Sequence, residues 1–202
     1  MTGELDGDHH PVVANNTHSG GNRMVRYLLV GMLALSVTAC ANHLQSVDDQ
    51  LRTALAGEPV TVTKQESGGL GGLLSSNGTI TLTSSADYIY PSGGWELKPG
   101  APVLSKMVPT FRNFQHTTIT VNGYTDSTPV GAALQRMGIS NNVELSLKRA
   151  SEAVAFFQAQ GVNPSLLSAK GFGEANPVAP NDTPEGRARN RRIEIVLNGD
   201  GT

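Results

Sequence analysis

Hydrophobic residues change their spacing several times along this chain, and each change marks an element. Leu44, Val47, Leu51 and Leu55 recur at near-helical spacing until Gly57 and Pro59 end the pattern. Residues 59–63 (PVTVT) and 79–83 (TITLT) alternate apolar with polar, the period of a half-buried strand. The glycine-rich stretch 68–74 (GGLGGLL) lies between them, so the two strands are expected to pair as a hairpin around it. Pro91, Ser92, Gly93 and Gly94 demand a turn. Pro99 and Gly100 lead into a helix with Leu104, Met107, Val108 and Phe111 on one face. Residues 117–121 read as a strand, broken by Asn122 and Gly123, and Tyr124, Thr125 and Asp126 occupy the turn.

Residues 128–139 hold Pro129, two glycines and little apolar content, and read as a loop. Asn141 or Asn142 then caps a helix running to about residue 160, with Leu145, Ala150, Val154 and Phe157 facing the core and Gly161 at its C-terminal end. A strand at 166–171 is followed by a long Gly/Pro/Asn loop. Thr183 and Pro184 open a last short helix, and 192–197 is the closing strand. Strand–helix units repeat and end on a strand. That order predicts an α/β two-layer sandwich: one mixed sheet covered by helices on one face.

The N-terminal region has another pattern. Arg26 precedes an apolar run at 27–35, and small residues lead from it to Cys40. The run is shorter than the roughly 20 apolar residues of a membrane-spanning helix and has the size of a signal-peptide core. Val37-Thr38-Ala39-Cys40 resembles a bacterial lipobox, in which the cysteine is acylated and becomes the first mature residue. Two or more acyl chains, each buried methylene contributing about 0.8 kcal/mol, give stable anchoring. Ala41 follows, where the absence of Asp resembles lipoproteins exported to the outer membrane. Glu4, Asp6 and Asp8 are unlike a signal n-region, so Met24 is the expected translation start. The expected organisation is a leader at 1–40, a short helix, strand and glycine-rich linker at 41–78, and a folded domain at 79–198.

Several motifs in the domain resemble the OmpA-like C-terminal domain family. They are Thr125-Asp126 at a strand end, the helix-opening Asn142, Leu145-Ser146-Leu147-Lys148-Arg149-Ala150, and the run NDTPEGRARNRRIEIVL that enters the last strand. The resemblance covers roughly the last two-thirds of the chain. It implies a fold that binds peptidoglycan through the meso-diaminopimelate of the stem peptide, with Asp126 and Arg149 as the contacting residues. The chemistry suits that ligand. Diaminopimelate carries an ammonium and a carboxylate on one carbon; a carboxylate can take the first and a guanidinium the second, bidentately. The N-terminus of the helix near Asn142 adds N–H groups that favour an anion.

Thr125 and Leu145 are expected to line the same groove. Tyr90 stands where the family has Phe, at the end of the first domain strand. Arg191 is either a groove residue or one half of a structural ion pair. Tyr124 replaces the family's usual His, and the long 127–141 loop resembles the stator-protein and type VI secretion branch. Either site residue alone has a plainer explanation, Asp126 as a turn former and Arg149 as a surface cation.

Charge and composition narrow the alternatives. The 202 residues carry 15 Lys+Arg against 17 Asp+Glu, a formal net charge of −2, so no bulk polycation is present and nucleic-acid binding is disfavoured. Cys40 is the one cysteine, which excludes an intramolecular disulfide. Glu185 and Glu194 among Arg187, Arg189, Arg191 and Arg192 point to local ion pairs rather than phosphate binding. Gly171-Phe172-Gly173 lacks the further glycine and helix of a phosphate loop. His43 and His116 have no metal-spaced partners, and Asp126 has no second carboxylate nearby for glycosidase chemistry.

The chain is therefore expected to be a binding protein without cofactor or metal, not an enzyme. The leading expectation is a lipid-anchored protein of the outer membrane, facing the periplasm and tethering that membrane to the cell wall. The alternative is a wall-anchoring lipoprotein subunit of an envelope-spanning secretion system, with other envelope proteins as partners. A murein hydrolase is the rival from another class.

Overall fold

The computed structural model describes residues 43–66 and 78–202. The lipobox, Cys40, both candidate starts and the glycine-rich loop at 68–74 lie outside the described residues. Helix α1 covers residues 43–54. There follow β1 (Val60–Glu66), β2 (Gly78–Ser85), α2 (Ala86–Ile89), α3 (Pro102–Phe111), β3 (Thr118–Gly123), α4 (Ala132–Arg136), α5 (Asn142–Ala159), β4 (Leu167–Gly171), α6 (Pro184–Asn190) and β5 (Arg192–Gly199).

The strands form one mixed sheet in the order β1-β2-β5-β3-β4. Only β3 and β4 run parallel; the other pairs are antiparallel. The expected hairpin is β1 on β2, with Val62 opposite Leu82. Alternation sets the layers: one residue in two of β2 is buried, and the intervening threonines are only partly covered. Register converts this into rows. Leu82, Ile195 and Val121 lie side by side across three strands, as do Ile80, Leu197 and Ile119. These rows join Phe111, Phe157, Leu104 and Met107 in one buried cluster. Full burial of each such side chain contributes about 1.5–3 kcal/mol. Leu44, Val47, Leu51 and Leu55 belong to the same cluster, so α1 is packed into the core and is not a spacer in front of it.

Helix α5 is the element that positions the site. Asn141 is its N-cap, accepting from the Glu144 amide at 2.9 Å, while Glu144 accepts from the Ser140 amide at 2.6 Å. Asn142, the other capping candidate, is the first helical residue, and its side chain is used elsewhere. The helix lies very close to the sheet. A Cβ on Gly123 would stand 2.2 Å from the Ser146 carbonyl oxygen, and one on Gly171 would stand 2.5 Å from the Leu147 amide. These two glycines are register partners across β3 and β4. Gly123, read from sequence as a strand breaker, is the last residue of β3, and close approach of α5 explains it.

The 127–141 segment departs from the expected loop. It contains α4, and Val130 and Ile139 are buried with Leu145 in a second small cluster against Trp95 and Leu134. Val154, expected in the core, is only partly buried, and Arg149 and Ser146 occupy the buried face instead.

Candidate functional site

A cavity of about 360 Å³ opens where the end of β3, the start of α5, the 91–94 turn and the start of β5 meet. That volume lies at the lower end of small-ligand sites. Asp126, Arg149, Thr125, Asn142 and Leu145 all line it. Residues 16 to 24 positions apart in sequence are thus collected on one concave surface.

Asp126 follows the end of β3 and is 5% exposed. One carboxylate oxygen accepts from the Thr128 amide at 2.8 Å, and the other accepts from Arg191 Nη1 at 2.6 Å. Burial alone would raise its pKa; the hydrogen bonds from Arg191 and Thr128 outweigh it and hold the carboxyl below its ordinary value. It is a carboxylate at neutral pH with acceptor capacity left.

Arg149 presents the opposite charge in a different setting. It sits two turns into α5, is 3% exposed, and its Nε donates to the Gly94 carbonyl oxygen at 2.8 Å. Among the described residues no carboxylate lies within salt-bridge distance of it. Burial lowers its pKa, but an arginine so placed stays a cation at neutral pH. A buried guanidinium on a cavity wall has the chemistry to take an anion through two N–H bonds.

Asn142 holds the two walls together. Its side-chain amide donates to the Asp126 carbonyl at 3.3 Å, the Thr128 carbonyl at 3.1 Å and Glu174 Oε2 at 3.2 Å. Thr125 donates its amide to the Gly173 carbonyl, and its buried hydroxyl has no partner among the described residues. Leu145 joins the cavity wall to the small cluster under the 127–141 segment.

One expected residue is placed otherwise, and another takes both of the parts expected of it. Tyr90 is not at a strand end: it is the C-cap of α2, fully buried, and does not line the cavity. Its hydroxyl donates to the Arg149 carbonyl oxygen at 2.6 Å and its ring lies 5.6 Å from the guanidinium, so it supports Arg149 from behind. Arg191 both lines the cavity and is ion-paired. It bonds Asp126 on one side and Asp87, at 2.7 to 3.1 Å, on the other. The expected local ion pair exists between Arg192 and Glu194 at 2.7 Å, and Glu185 forms none among the described residues. Tyr124 stacks on Phe172 at 5.0 Å and lies under the Arg192 guanidinium at 3.7 Å, outside the cavity lining.

Sequence reasoning passed over Asp87 and Arg187 as cavity residues. Asp87 stands 104 positions from Arg191, and its only local signal is the Ser85 cap before it.

The model of the OmpA family matches residues 91–191, half of the chain. The probable lipoprotein YiaD of Escherichia coli is 34% identical over 156 residues, which is 77% of this chain and 63% of YiaD. The peptidoglycan-binding protein ArfA of Mycobacterium tuberculosis is 40% identical over 120 residues, 59% of this chain and 34% of ArfA. The chain thus spans under two-thirds of the length of these relatives. A solved structure of a putative MotB-like protein from Desulfovibrio vulgaris superposes with a TM-score of 0.65 at 26% identity, over 82% of this chain and 98% of that one.

Proposed function

The chain belongs to the OmpA family, and on that premise we propose that the Asp126–Arg149 cavity binds peptidoglycan noncovalently, through the zwitterionic end of the meso-diaminopimelate residue in its stem peptide. The observation that carries this reading is the buried Arg149 guanidinium, with no carboxylate of the described residues within salt-bridge distance, in the same small cavity as an ionised Asp126. Arg149 takes the ligand carboxylate and Asp126 its ammonium. The site's chemistry is recognition: two fixed charges of opposite sign, matched to two on one carbon. The relative named as peptidoglycan-binding supports the reading.

Lipid on Cys40 would hold the other end in the outer membrane, with the domain in the periplasm, and the relative named a probable lipoprotein supports that half. The output is mechanical, a link between membrane and wall. Many modest contacts act together because the anchor confines them to one surface. The same cavity would serve equally in a wall-fixed subunit of a secretion machine.

Sedimentation with purified sacculi tests the binding half. Wild type should co-sediment, and Asp126→Ala and Arg149→Ala should remain in solution while keeping a cooperative thermal transition. Co-sedimentation of both variants would remove the site. Labelling with radioactive palmitate, lost in Cys40→Ala, tests the anchor, and capture of stable envelope partners would favour the secretion-machine role.

A further inference from the structure

The cavity wall around Asp126 contains a charge arrangement that recognition by two residues alone does not explain. Arg191 is shared. Its Nη1 donates to Asp126 Oδ2 at 2.6 Å, while Nη2 and Nε donate to Asp87 Oδ2 at 2.7 and 3.0 Å. A single guanidinium therefore bridges two carboxylates, and all three residues line the cavity. If Asp126 and Arg191 stood alone, they would form a closed neutral pair. An approaching ammonium would then have to compete with Arg191 for the same carboxylate.

We propose that Asp87 is the specificity-determining residue for a cationic group: by drawing the Arg191 charge to its own side, it leaves the cluster with one uncompensated negative charge, which makes Asp126 an ammonium acceptor. This rests on the reading in which Asp126 receives a ligand ammonium. Asp87 is held in place for the task. Its amide donates to the Ser85 hydroxyl at 3.2 Å, and the neighbouring Ala86 amide donates to the Arg191 carbonyl at 2.9 Å, which ties the start of α2 to the start of β5. The other charges on the cavity, Arg149 and Arg187, are both cations. Arg149 bonds the Gly94 carbonyl and Arg187 bonds the Asn181 carbonyl, so neither adds negative charge. Asp87 and Asp126 are thus the only source of attraction for an ammonium among the described cavity residues. The Asp87 side chain is 42% exposed, so its influence is screened by salt and should be larger at low ionic strength.

The test is calorimetric titration of the full chain with two peptides. One ends in meso-diaminopimelate; the other is identical except that the side-chain amine is acetylated. Wild type should prefer the free amine by about tenfold or more, as charge-assisted hydrogen bonds do. In Asp87→Asn, which keeps shape and removes charge, that preference should fall below about threefold, with little change in affinity for the acetylated peptide, and Asp87→Glu should restore part of it. An equal loss for both peptides would make Asp87 a scaffold residue and overturn the proposal, as would an unchanged preference. If wild type binds the peptide but Asp87→Asn behaves like it, only this inference falls. If wild type binds neither peptide, the assignment of the cavity falls first.

Discussion

The two charged walls of the cavity are built on opposite plans. The Asp126 wall is a closed network in which the carboxylate has an amide, a guanidinium and, beyond it, a second carboxylate. The Arg149 wall is open: a buried guanidinium has one carbonyl bond and an aromatic ring behind it. A protein optimised only for stability would not leave a cation buried without a counter-ion, because desolvation is only partly offset. The contrast is what the proposed function requires: one wall holds the fold, and the other leaves donors for a ligand. On the proposed reading, Asp126 contributes to both, and Arg149 to binding far more than to folding.

The sharpest way to break this contrast is Arg149→Met. Peptidoglycan affinity should fall by about 3 kcal/mol, in the range for truncating a buried charged partner. Thermal stability should hold or rise, since an apolar chain replaces a buried charge that has no ion-pair partner among the described residues. A large drop in melting temperature would show that the guanidinium is structural. Gly123→Ala comes next. It drives a Cβ into the Ser146 carbonyl and pushes α5, with Arg149, away from the wall that carries Asp126. Denaturation should show a loss of about 1–3 kcal/mol, as overpacking does, with weakened sacculus binding.

Acid sharpens the difference between the walls. The folded-state pKa of Asp126 is depressed, so its stabilising contribution is present above the ordinary carboxylate value of 3.8 and is lost as pH falls below that. Wall binding should weaken in the same window, and Asp126→Asn should flatten that part of both profiles. Titration of stability and binding from neutral pH down to about pH 3, near the range of model carboxylates, checks this. The smallest effect is expected for Tyr90→Phe. It removes the hydrogen bond to the Arg149 carbonyl, worth about 1 kcal/mol of stability, and leaves the ring in place. Binding should change little.

The alternating strands and the amphipathic α5 made the sandwich legible, because sheet burial has period two and the threonines between the buried residues do not hide it. The Thr-Asp turn and the motif around Arg149 likewise marked the positions that the fold collects on one cavity. Three features were not legible. Helix α4 is five residues with no side-chain cap, and it exists because Val130 and Ile139 find Leu145 and Trp95, contacts that local pattern does not encode. Tyr90 resembled a groove residue but is buried beneath Arg149, a depth that no residue spacing reveals. Asp87 meets Arg191 from 104 positions away, and only the register that places β2 beside β5 brings α2 there.

One cross-pattern tests the central claim that Asp126 and Arg149 divide the two charges of one zwitterion. Affinity would be measured for a diaminopimelate stem peptide, its side-chain carboxamide and its N-acetylated form, each against wild type, Asp126→Asn and Arg149→Met. Amidation should weaken wild type and Asp126→Asn but leave Arg149→Met almost unaffected, and acetylation should weaken wild type and Arg149→Met but leave Asp126→Asn almost unaffected. Both variants responding alike to both modifications would contradict the division of charge between the two walls.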